Sequence, residues 1–128
     1  MYNLIFEESN GFFSLIVLSG DEPILTSKFY ITQFINNFDI KKFDLFINSL
    51  EMGLNYKYNL SLDLIIENNT ERFSITSSDL SFNIILSDRA RIQFVKEFKK
   101  MFKYILNWAT EHEFELFDSY KQEENVYS

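Results

Sequence analysis

The chain has no cysteine. Disulfides, thiolate metal sites and a cysteine nucleophile are therefore excluded. It has one histidine, His112, in 128 residues. Any serine nucleophile would have only that imidazole to activate it, and no Gly-x-Ser-x-Gly elbow occurs. Three glycines are too few for a glycine-rich phosphate loop. The one proline, Pro23, sits where a strand can begin. Apolar runs are only a few residues long, far below the ~20 of a membrane helix. The start, Met1-Tyr2-Asn3-Leu4-Ile5-Phe6-Glu7, has neither a basic region nor a long apolar stretch, so no signal peptide is expected. The expectation from these absences is a cytoplasmic protein with no membrane segment, no cofactor and no metal.

What is present is a core and an acidic balance. Apolar residues make up 46% of the chain and 15 are Phe, too many for a disordered segment. A chain of this size buries roughly two-thirds of its unfolded surface. The net charge of −7 disfavours phosphate backbones and anionic membranes, and it favours a basic partner. The charge is uneven. Asp88 to Lys103 holds six basic residues and two acidic ones, a local reversal.

The chain punctuates itself clearly. Tyr2, Leu4 and Phe6 alternate up to Asn10-Gly11, a hairpin signal because both residues tolerate positive φ. Gly11 to Ser19 reads as a strand with Phe13, Leu15 and Val17 on one side and Phe12, Ile16 and Leu18 on the other. Ser19 to Pro23 turns, and Ile24 to Phe34 is a third strand whose end can already be helical. Asp39 is an N-cap for a helix carrying Ile40, Phe43, Ile47 and Leu50, which Gly53 closes.

Next comes the strongest pattern. Leu54, Tyr56, Tyr58, Leu60, Leu62, Leu64 and Ile66 alternate with Asn55, Lys57, Asn59, Ser61 and Asp63, which predicts one strand with one oily and one wet face. Arg72 to Ser77 and Leu80 to Leu86 follow as two further strands. Ser87-Asp88 caps the longest helix, which reaches about Glu111. An offset of 49 relates Asp39 to Asp88 and Phe43 to Ile92, a weak internal repeat. The expected fold is α+β: a two-layer sandwich of one antiparallel sheet with two amphipathic helices on one face, in the order βββα-βββα. Residues 1–117 form one domain in this reading, and 118–128 form an acidic, frayed tail.

Candidate chemistry is sparse. His112 lies in Glu111-His112-Glu113, but neighbours on a helix point about 100° apart and cannot converge on a metal. A catalytic carboxylate pair is not singled out by any spacing among 19 acids. The lysines Lys96, Lys99, Lys100 and Lys103 form one helix face, either a solvated face or an anion and nucleic-acid patch. Acidic positions on the strands and turns of the second half, Asp63, Glu67, Glu71 and Asp79, are the candidate contacts for a basic protein partner. Most Phe residues read as core. Phe12, Phe29 and Trp108 are candidates for exposed anchors.

Glu22-Pro23-Ile24-Leu25-Thr26 and Ser78-Asp79-Leu80-Ser81-Phe82, in a small acidic chain with a one-sided sheet, resemble small bacterial toxin-immunity proteins, including those associated with WapI-type toxins. The resemblance implies a non-enzymatic cytoplasmic protein that binds and blocks a toxin domain. The strand-rich halves, each ending in a helix, also look like Whirly or PUR-type single-strand nucleic-acid binders. Those present basic and aromatic residues on an open sheet, whereas Asn55, Lys57, Asn59, Ser61 and Asp63 include no aromatic. The sequence-based expectation is a protein-binding module with a basic partner, an inhibitor or immunity role being its most concrete form. Single-strand nucleic-acid binding is the alternative. A homodimer is compatible with either.

Overall fold

A computed structural model describes residues 1–114; the expected tail at 118–128 lies outside the described residues. The fold is α+β, with two antiparallel sheets and three helices packing against them. The first sheet has the order β1 (Tyr2–Ser9), β2 (Phe12–Ser19), β3 (Glu22–Tyr30). It leads into a single-turn helix α1 (Ile31–Phe34), a 3₁₀ turn (Ile35–Asn37) and helix α2 (Ile40–Met52). The second sheet runs β4 (Tyr56–Ser61), β5 (Leu64–Asn68), β6 (Phe73–Ser77), β7 (Ser81–Ile84), and helix α3 (Asp88–Glu111) follows.

Local chemistry explains the boundaries. Asn10-Gly11 makes the expected two-residue turn, with Ser9 paired to Phe12, but only Gly11 has positive φ, at 84°, so the turn is not the type I′ form in which both residues would. The Asp39 carboxylate accepts the Lys42 N–H at 3.0 Å and starts α2. Gly53, at φ 71°, ends it in the left-handed conformation. The cap of α3 is Ser87, whose hydroxyl accepts the Ala90 N–H at 3.1 Å. Asp88 stands in the first turn instead, where its charge suits the helix dipole. The equivalence of Asp39 with Asp88 is therefore one residue out: the two caps are Asp39 and Ser87.

The expected single sheet is corrected to two, and the expected strand 54–66 is a hairpin. Residues 62 and 63 form its turn, so the second half has four strands. The alternation conceals this because of a bulge. On an unbroken register, pairing Ser61 with Leu64 would set Leu60 opposite Ile65 and turn the odd residues of β5 inward. The register shifts between Asn59 and Ser61, so Tyr58 faces Ile66 and the even residues stay inside on both strands. Leu62, read as an inward residue, is 93% exposed at the turn.

Both sheets share one core. Phe13 packs edge-on against Phe34, and the rings continue through Phe38 and Phe43 to Phe46. Phe73 of β6 meets Phe94 and Phe98 of α3. Ring pairs of this kind add about 0.5–1.5 kcal/mol each beyond their buried area. Phe29, a candidate exposed anchor, instead faces inward against Phe13 and Phe34.

Helix α3 holds the two sheets by different chemistry. Towards β6 it offers phenyl rings. Towards β1 it offers polar side chains that close the strand's free edge. The Gln93 carboxamide accepts the Leu4 N–H at 2.8 Å and donates back to the Leu4 carbonyl. Glu97 accepts the Phe6 N–H at 3.3 Å, is itself buried, and pairs with Lys100 at 2.7 Å. An open strand edge invites pairing with another chain; here the helix occupies it.

Candidate functional site

The acidic candidates separate into two groups. Strand β5 runs from the Asp63 turn to the 69–72 turn, and β6 returns to the 78–80 turn. Asp63 and Asp79 thus lie at one end of the second sheet, and Glu71 lies at the other. Glu67 is on the outer face, in register with Lys57 on one side and Ser74 on the other. An opposite charge directly across the strands compensates it in part.

The end bearing Asp63 is organised. Its carboxylate accepts the Ser78 N–H at 3.1 Å and the Ser78 hydroxyl at 3.3 Å. One hairpin tip is thereby tied to the other. Between them they present Leu62, Leu80, Asp63 and Asp79 to solvent, with Leu80 38% exposed. This end therefore exposes two leucines beside two carboxylates. The sequence signal for Leu62 was its place in a perfect alternation, which pointed the wrong way. A notch of about 240 Å³ adjoins this end, lined by Tyr30, Phe34, Leu60, Leu62, Lys28 and Asp63 among others.

The lysines are less available than their number implies. Lys99 pairs with Glu51 at 3.5 Å, and Lys100 with the buried Glu97. Lys96 and Lys99 border a groove of about 520 Å³ that also holds Glu51 and Asp88. Lys100 and Lys103 border another, of about 570 Å³, with Glu8, Glu111, Tyr104 and Trp108. Each groove mixes the two signs, whereas a phosphate track needs one. Burial, and then the nearby Glu8 carboxylate, raise the pKa of the Tyr104 hydroxyl, so it stays a neutral phenol in this groove.

His112 ends α3, exposed, stacked on Trp108 at 4.2 Å, with Nδ1 2.9 Å from the Trp108 carbonyl oxygen. This is a local cap. Among the described residues, no group of three or more His, Asp or Glu could hold a metal ion. No helix of the described residues is long and apolar enough to cross a membrane.

One buried polar cluster has no counterpart in the sequence reading. Asn68, fully buried, donates to the carbonyls of Ser49 at 3.2 Å and Leu54 at 2.7 Å. Its own oxygen accepts from Arg91 at 2.8 Å, and Arg91 also reaches the Leu50 carbonyl at 3.1 Å. A cation at the carbonyl end of α2 suits the dipole. Every group of Asn68 is used structurally, joining α2, β5 and α3. Asn68 follows Ile66 at the same even spacing, but an Asn beside a turn reads as turn chemistry.

Comparison with protein-family models, with curated proteins and with solved structures finds no match to this chain.

Proposed function

We propose that the chain is a non-enzymatic protein-binding module that docks a basic partner on the joined hairpin tips of the second sheet. The observation carrying this reading is the tie from Asp63 to Ser78, which holds together two hairpin tips that expose Leu62, Leu80, Asp63 and Asp79. A preorganised patch binds with less ordering cost than two loose loops. The net charge of −7 adds long-range attraction for a cationic partner. The segment Ser78 to Phe82, which carries the resemblance to toxin-immunity proteins, lies at this patch. An inhibitor or immunity protein that neutralises a basic toxin or enzyme in the cytoplasm is the most concrete form of the reading.

The test is affinity capture with mass spectrometry, run in parallel on the unaltered chain, Leu62→Ser and Asp79→Lys. The expected partner is basic, is stoichiometric, and is lost with Leu62→Ser. Asp79→Lys slows its association by about tenfold at low salt. Recovery of the same partner in equal yield by both variants would sink the assignment. Labelled single-stranded RNA and DNA are expected to show no retardation at low salt; a salt-sensitive shift would transfer the function to the lysine face.

A further inference from the structure

The outer face of the first sheet breaks the usual pattern for a sheet open to water. Leu4, Phe13, Leu15 and Val17 point into the core, so the alternate residues point out. Register places them in four cross-strand rows: Ser9–Phe12–Tyr30, Glu7–Ser14–Lys28, Ile5–Ile16–Thr26 and Asn3–Leu18–Pro23. Ile5, Phe12, Ile16 and Leu18 are half-buried, and none of them packs against the core cluster. Tyr30 is 54% exposed. The Lys28 ammonium lies 4.0 Å from the centre of the Phe12 ring and 5.6 Å from that of Tyr30. Apolar residues down a central strand, interrupted only at Ser14 and flanked there by Glu7 and Lys28, are the pattern of an interaction surface.

The charges on this face identify its occupant. The second row has Glu7 on β1 and Lys28 on β3, at equal distance on either side of Ser14. Rotation by 180° about an axis lying along β2, in the plane between two stacked faces, carries β1 onto β3 at the same height. Glu7 of one copy then faces Lys28 of the other, twice. Phe12, Ile16 and Leu18 meet their own counterparts across the axis. A two-fold interface requires this self-complementarity, residue i meeting j and j meeting i. A wholly basic partner would meet Lys28 unfavourably, and an acidic one Glu7.

We infer that the outer face of β1–β2–β3 is a homodimer interface, with two copies stacked sheet to sheet about a two-fold axis along β2. This surface borders the hairpin tips at the notch where Lys28 and Tyr30 meet Leu62 and Asp63, but its argument stands without the function proposed for them. Stacked sheets pack about 10 Å apart with strands about 30° from aligned. Three strands of about eight residues cover roughly 14 by 26 Å. That is small for a stable interface, so dissociation is expected in the tens-of-micromolar range.

Sedimentation equilibrium over a wide concentration range, at physiological ionic strength to screen the like net charges, tests the inference. The unaltered chain is expected to dimerise reversibly. Ile16→Glu places two carboxylates against each other on the axis and is expected to leave only monomer. Glu7→Lys and Lys28→Glu are each expected to weaken the dimer by about tenfold, since each spoils two pairs. The double variant, with both reversed, restores the pairing and is expected to recover most of the affinity. Circular dichroism checks that each variant folds. A monomer at every concentration overturns the inference. A dimer that survives Ile16→Glu, or one whose charge reversals show no rescue, overturns it equally.

Discussion

On the outer side of the first sheet the central strand shows Phe12, Ser14, Ile16 and Leu18. On the outer side of the second, the rows read Lys57–Glu67–Ser74–Asn83 and Asn59–Ile65–Thr76–Ser81. There Ser74 bonds to Asn83, and the Thr76 and Ser81 hydroxyls meet at 3.4 Å. Inner faces are alike: both sheets supply aromatic and aliphatic side chains to one core. A solvated antiparallel sheet keeps polar residues outward, and the second sheet follows this rule in seven of eight positions. The first breaks it on its central strand, where three of the four outward residues are apolar and only Ser14 is polar. The contrast separates a face made to be wet from one made to be covered, within one small chain.

The sheets also differ in how α3 grips them, and substitutions can probe that difference. The largest effect is expected where rings join α3, α2 and β6. Phe98→Ala removes a fully buried ring that touches Phe43, Phe46 and Phe73, and should cost about 4 kcal/mol in urea unfolding. If both sheets belong to one cooperative unit, fluorescence and circular dichroism will shift together. Separate transitions would show that the shared core does not couple them.

A smaller, more local effect is expected at the first sheet's edge. Gln93→Ala strands the Leu4 N–H and carbonyl and should cost about 1–2 kcal/mol. Amide exchange should quicken along β1 while β5 and β6 keep their protection. Uniform quickening would mean that the edge contact is no more local than the core.

The smallest effect is expected at Tyr58, whose hydroxyl donates to the Asp39 carbonyl at 3.1 Å. Tyr58→Phe should cost about 1 kcal/mol near neutral pH. Burial, followed by the Asp39 charge, pushes this phenol above its ordinary value. The folded chain then keeps a proton that the unfolded chain releases above about pH 10, so stability is present below that pH and falls as pH rises. The decline should be shallower in Tyr58→Phe. Equal slopes would remove Tyr58 as its source.

How much was readable from sequence differs by element. Strands β1 and β2, the Asn10-Gly11 turn, the Asp39 cap and the Gly53 stop were all legible, because each depends on residues within a few positions of one another. The outward set Phe12, Ile16 and Leu18 was visible too, but its meaning was not, since a strand buried on both faces reads the same way. The break at residues 62 and 63 was hidden by the bulge that preserves parity. Asp63 and Asp79 could be singled out as acids, but not as neighbours, because Ser78 joins them across 15 residues.

Local order, then, was determined by the sequence itself: alternation, caps and turns come from backbone sterics and short-range hydrogen bonds that the nearest residues decide. The division into two sheets, the closing of the β1 edge by Gln93 and Glu97, the full pairing of Asn68 and the gathering of the acidic hairpin tips were decided only by the tertiary structure. Those contacts join residues far apart in the chain. Their partners are selected by packing and by the need to pair every buried polar group, and no local pattern encodes either.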